Sequence, residues 1–105
     1  MSYKILLHPK ANAFLENIEV DLEDRIRKKL HELSANPETG KKFTHSDIWR
    51  FSIGDYRAVY KIEYKTDRVI IRLIGQRHDV DDDFLRLFGT ILRYHTLHTF
   101  YRIQR

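Results

Sequence analysis

The chain has no cysteine, only two prolines and four glycines, and no apolar run near the roughly 18 residues a membrane span requires. Without cysteine no disulfide can staple a secreted fold, and a zinc site would have to be built without thiolates. The opening stretch MSYKILLHPK has too short an apolar run and too early a proline for a secretory signal. A cytoplasmic location with no membrane partner is therefore expected. Internal repeats and low-complexity tracts are also missing, and 105 residues suit a single domain spanning 1–105.

What the chain does have is charge, unevenly placed. Residues 1–39 carry six Lys/Arg against seven Asp/Glu, residues 40–78 nine against four, and residues 79–105 four against four. The whole excess behind the formal net charge of +4 thus lies in the middle segment. Concentration of one sign in one segment points to a focused anionic partner such as nucleic acid.

YKILLH at 3–8 is a short apolar run that reads as a strand. Pro9 sits where a helix tolerates proline, and Ala11, Phe14, Leu15 and Ile18 follow at the spacing of one helical face. A second helix is expected from about Asp21, read as its cap, with Leu22, Ile26, Leu30 and Leu33 in register and acidic residues preceding basic ones as the helix dipole prefers. SANPETGKK at 34–42 contains proline and glycine and ends it, so the two helices form a hairpin.

The second half reads as strands: DIWRFSI, YRAVYKIEY and RVIIRLIGQ are rich in β-branched and aromatic residues and are separated by GD and KTD. A two-residue Gly54-Asp55 loop sets Ser52 opposite Arg57, Arg50 opposite Val59, Ile48 opposite Lys61, Trp49 opposite Tyr60 and Phe51 opposite Ala58. Alternation then gives one apolar face, with Trp49, Phe51, Ile53, Tyr56, Ala58, Tyr60 and Ile62, to receive the helices. The other face carries Arg50, Ser52, Arg57 and Lys61, and a two-residue Thr66-Asp67 loop would place Arg72 beside Lys61. The expected fold is α+β, in the order βααβββ(α), with the helical hairpin on one face of an antiparallel sheet and the other face free. Guanidinium groups on that face match phosphate oxygens bidentately.

Phe84, Phe88, Ile91 and Leu92 predict a third helix over about 82–94, with Asp79, Asp81, Asp82 and Asp83 at its start. Those aspartates read as helix-start charge rather than a metal cluster. His95 and His98, with His8 and His45, make a poor metal signature without cysteine or a positioned carboxylate, and Trp49, Tyr56 and Tyr60 read as core rather than base-stacking platforms.

WRFSIGDYRAVYKI, with VIIRLIGQRHDV downstream, resembles the core signature of RelE/ParE toxins of type II toxin–antitoxin systems. The resemblance runs from the first strand to about Val80. It implies a small toxin that binds a cognate antitoxin through a small acidic segment. In the RelE-like branch it further implies a ribosome-dependent endoribonuclease that cuts messenger RNA and arrests growth without metal or other cofactor; in the ParE-like branch, a DNA gyrase inhibitor. A member that only binds its antitoxin is a third expectation. By motif, Arg57 and Arg77 match the two phosphate-stabilising arginines, and Arg50 stands where RelE-like enzymes tend to have lysine. Ile48 and Arg50 leave that stretch without the family's candidate base, and aspartates 81–83 occupy the place of its RNA-stacking tyrosine. His78 is the substitute for moving protons, and Lys61 a second. Catalytic roles are thus expected for Arg57, Arg77 and His78, and RNA phosphate contacts for Arg50, Lys61 and Arg72.

Overall fold

The computed structural model describes residues 2–82 and 101–102. Strand β1, Lys4–Leu7, turns at His8 into helix α1, Pro9–Glu16. Pro9 has no N–H to lose there, and His8 caps the helix by accepting a hydrogen bond from the Lys10 N–H on Nδ1 at 3.1 Å. Helix α2, Val20–His31, begins one residue before the expected cap. Glu19 is its N-cap, without a side-chain bond, and Asp21 with Glu23 instead places charge in the first turn. Glu23 accepts from Arg27 one turn later at 2.8 Å.

Among the described residues six strands follow the order β2-β3-β4-β5-β1-β6. Strand β2 is the pair Lys41–Lys42, β3 is Ile48–Ile53, β4 is Tyr56–Glu63, β5 is Arg68–Gln76 and β6 is Tyr101–Arg102. The βααβββ order is as expected, but the sheet is mixed: β1 runs parallel to β5, pairing Lys4–Leu7 with Arg68–Ile71. β5 is the third strand of the antiparallel β3–β4–β5 meander, so it runs in the direction of β3, and β1 lies alongside it in the same sense. The β3–β4 hairpin has the register set by its turn, with Ser52 opposite Arg57 and Ile48 opposite Lys61. Gly54, first of the two loop residues, has φ of +57°, a conformation that costs glycine nothing.

The β4–β5 connection departs from the two-residue loop. A 3-10 turn at Tyr64–Thr66 and a left-handed Asp67 join the strands, while Glu63 accepts hydrogen bonds from Arg68 at 2.6 Å and Thr66 at 3.0 Å. Burial works to raise the Glu63 carboxyl, but these bonds outweigh it and hold the group below its ordinary value. Lys61 therefore faces Ile70 rather than Arg72. A bulge between Val59 and Tyr60 shifts the register, leaving Arg72 as the extra residue of β5 between Ile71 and Leu73.

The main core lies between the helical hairpin and one sheet face. Leu15, Ile26, Leu30 and Leu33 meet Phe51, Ala58, Tyr60, Val69 and Ile71, all at most 5% exposed. Burying each such aliphatic side chain contributes about 1.5–3 kcal/mol before entropy is counted. The opposite face is less free than alternation alone suggests. Ile48 and Val59 are fully buried there with Val80, and Phe43 and Leu73 pack beside them. Val80 belongs to helix α3, Arg77–Asp82, which starts directly after β5, five residues earlier than the expected third helix. The missing side chain of Gly75 is what admits it, since a Cβ there would lie 3.0 Å from a Val80 methyl. The rest of the expected helical span, 83–94, lies outside the described residues, as do His95 and His98. Among the described residues no helix is long and apolar enough to cross a membrane.

Candidate phosphate-binding face

Hairpin register places Arg50 on β3 and Arg57 on β4 on the sheet face turned away from the main core. Arg57 Nη1 donates to the Tyr56 carbonyl at 3.2 Å, which directs the guanidinium toward the hairpin tip. There the Arg77 N–H donates to the Asp55 carbonyl at 2.8 Å, tying the start of α3 to the turn. A cleft of about 320 Å³ opens at this junction, lined by Asp55, Tyr56, Gln76, Arg77 and His78. The fold thus brings Asp55 and Tyr56 of the GDYR turn together with Gln76 and Arg77 of the GQR segment at one cleft, which Arg57 does not line.

His78 is exposed in the first turn of α3, and its Nε2 lies 3.1 Å from Asp79 Oδ1. It reaches solvent beside Arg77 and has a carboxylate to orient it. Lys61 lies further along the face, where its ammonium pairs with Asp47 at 3.1 Å. Arg50 lies over the Phe43 ring, 5.7 Å from its centroid, at a distance typical of cation–π contact.

Arg72 does not join these groups at the surface. The bulge buries it to 1% exposure, and burial pushes its guanidinium below its ordinary value, against the Glu63 and Asp47 carboxylates that work to raise it. A side chain so enclosed presents no accessible phosphate contact. Ile48 is also fully buried, so of the two residues that leave β3 without the family's candidate base, one is a core residue here and the other is Arg50. Trp49 and Tyr60 stack at 6.1 Å with 19° between their planes on the helix side of the sheet, a packing role. His8 is a helix cap.

One feature beside this face was not legible in the sequence. Thr39, Gly40 and Lys41 run along the outer edge of β3 and, with Arg50, Phe51 and Ser52, line a second cleft of about 470 Å³. Lys41 pairs directly with Arg50 across β2–β3. The strap is held from beneath by Tyr60, fully buried, whose hydroxyl donates to the Pro37 carbonyl at 2.7 Å and accepts from the Gly40 N–H at 3.1 Å. Burial raises this hydroxyl to about 12; the Gly40 N–H opposes the shift and the Glu38 carboxylate adds to it. A raised folded-state value means stability that is complete below the unfolded tyrosine value of about 10 and lost as pH climbs through the folded one. Tyr60→Phe is therefore expected to flatten the fall in urea midpoint between pH 10 and 12. Tyr64, whose hydroxyl donates to Glu38 and is also raised to about 12, leaves a smaller residual slope. An unchanged slope in the variant would contradict this assignment.

Residues 5–80 match the family of ParE toxins of type II toxin–antitoxin systems, parDE. No curated protein matches the sequence. In structure the chain is similar to the toxin–antitoxin complex RelBE2 of Mycobacterium tuberculosis, at 20% identity and a TM-score of 0.66, over 73% of this chain and 100% of that one. It is also similar to a mutant of the E. coli toxin RelE in the free state, at 20% identity and a TM-score of 0.66, over 77% and 90%. A third similar structure is the archaeal RelE–RelB complex of Pyrococcus horikoshii, at 21% identity and a TM-score of 0.62, over 73% and 97%. At these identities the likeness is one of fold.

Proposed function

The chain belongs to the family of ParE toxins of type II toxin–antitoxin systems, and we propose that it arrests translation by cutting messenger RNA on the ribosome. The observation that carries this reading is the placement of Arg50 and Arg57 on one sheet face, with Arg77 tied to the tip of the same hairpin. The two guanidinium groups on that face, with Arg77 at the hairpin tip, suit a phosphodiester whose negative charge grows during reaction. In the reaction the ribose 2′-oxygen attacks the adjacent phosphorus: the O2′–P bond forms, the P–O5′ bond breaks, and a 2′,3′-cyclic phosphate remains. The O2′ proton passes to solvent water, and O5′ takes one up as it leaves. Arg57 and Arg77 stabilise the pentacoordinate phosphorus and Arg50 holds a flanking phosphate. His78, exposed beside Arg77, supplies the proton to O5′, and no step calls for a metal.

The partner in this reading is an antitoxin, the kind of protein found with RelE in the Pyrococcus horikoshii complex. An acidic antitoxin segment complements the excess of cations in residues 40–78 and covers the phosphate contacts, which is a physical route to inhibition. A second reading, gyrase inhibition without cleavage, draws on the absence of a base from β3, where Ile48 is buried and Arg50, at the lysine position, gives up no proton. Expression without antitoxin separates the two. Cleaved ribosome-bound mRNA that disappears in Arg57→Ala and Arg77→Ala supports the nuclease; intact mRNA with DNA damage supports gyrase inhibition. Equal harmlessness of all three proteins contradicts both and leaves a chain that only binds its antitoxin.

A further inference from the structure

Lys41 and Arg50 are direct partners across the β2–β3 ladder, so their side chains leave the sheet on the same face with Cβ atoms about 5 Å apart. Ser52, two residues further along β3 and so about 7 Å away, also lines the edge cleft and pairs with Arg57. Lys41, Arg50 and Arg57 therefore form a diagonal row of cations across three neighbouring strands, ending near the tip where Arg77 lies.

The strap that carries Lys41 is held on two sides. Strand β2, two residues long, pairs with β3 and is followed by a Phe43 N–H to Ile48 carbonyl bond at 2.9 Å, while Tyr60 binds Pro37 and Gly40 from the core side. Gly40 is pressed so close that a Cβ would meet the Arg50 carbonyl at 2.5 Å and the Tyr60 hydroxyl at 2.6 Å. Close approach without a side chain and a buried hydroxyl clamp together fix where Lys41 stands relative to Arg50.

We propose that the β2–β3 edge is a second phosphate notch for the RNA strand, with Lys41 as a contact and Tyr60 as the positioning residue that holds it opposite Arg50. The proposal rests on the reading of the Arg50–Arg57 face as a phosphodiester site and extends that site by one phosphate toward the sheet edge. Its chemistry is that of a single-stranded phosphodiester backbone, recognised by charge and independent of base identity.

The test measures binding of the purified toxin to mRNA-programmed ribosomes as a function of salt, for wild type, Lys41→Ala, Tyr60→Phe, their double variant and Arg57→Ala, with folding checked by near-ultraviolet circular dichroism. Lys41→Ala is expected to weaken binding roughly tenfold and to reduce the slope of log K against log salt by about 0.7–1. Tyr60→Phe keeps the ring stacked on Trp49 and should lower the slope similarly, and the double variant should bind no worse than Lys41→Ala alone. A solely structural role for Tyr60 would lower the melting temperature and leave the slope untouched, which overturns its positioning role; additive losses in the double variant do the same. Wild-type affinity and slope in Lys41→Ala, with Arg57→Ala weakened, overturns the notch and leaves the Arg50–Arg57 site standing. Absence of wild-type binding overturns both.

Discussion

Arg57→Ala is expected to lower the rate of mRNA cleavage by about 10²–10³-fold, the usual cost of removing a donor aimed at charge that develops in the transition state. Its place on the sheet is fixed by a rigid hairpin: Ser52 pairs with it on one side and Gly75 on the other, and its own Nη1 is directed by the Tyr56 carbonyl. The fold should survive the change, because Arg57 lies outside the main core cluster. Arg57→Lys keeps the charge but loses the planar fork, so it should recover part of the rate and little of the geometry. Single-turnover cleavage on programmed ribosomes gives the number. A rise in KM with kcat unchanged would mean that Arg57 binds ground state and transition state equally and takes no part in the chemical step.

Gly40→Ala is expected to be the most damaging glycine-to-alanine substitution among the described residues. An alanine methyl would lie 2.5 Å from the Arg50 carbonyl oxygen and 2.6 Å from the Tyr60 hydroxyl, and the first of these is backbone in a paired strand. Relief requires the strap to lift, which breaks the Gly40 to Tyr60 hydrogen bond at 3.1 Å and loosens the Tyr60 to Pro37 bond at 2.7 Å. Overpacking of this kind costs about 1–3 kcal/mol, and an unsatisfied buried hydroxyl adds about 1–3 kcal/mol. Urea unfolding should show a midpoint drop at unchanged m-value. Gly54→Ala provides a contrast: nothing lies within 4 Å of a Cβ there, so its cost comes from the φ of +57°, about 1 kcal/mol. Equal losses at the two glycines would contradict the contact argument.

The parts of the fold that were legible in the sequence are those set by local rules. Gly54-Asp55 between alternating runs fixed all the β3–β4 pairings, and with them the shared face of Arg50 and Arg57. Pro9 and the Ala11–Leu15 spacing located α1. What was not legible depended on contacts between distant segments. The bulge that buries Arg72 leaves no trace in the alternation of RVIIRLIGQ, because Arg72 and Leu73 look like an ordinary strand pair until β4 is set beside them. GKK at 40–42 lies in the stretch that read as ending the second helix, and pairing with Trp49 and Arg50, with the Tyr60 hydroxyl bound to Gly40 beneath, makes it an edge strand. The early start of α3 likewise depends on Gly75 admitting Val80, a contact that helical periodicity in residues 84–92 does not report.

The most direct test of the central claim is to incubate the purified toxin with ribosomes programmed with a defined mRNA and to map the ends that appear. Cleavage within the ribosome-bound message, leaving a 2′,3′-cyclic phosphate and a 5′-hydroxyl and absent with Arg57→Ala, is the predicted result. Intact message after prolonged incubation, with wild-type toxin bound or unbound, would contradict it.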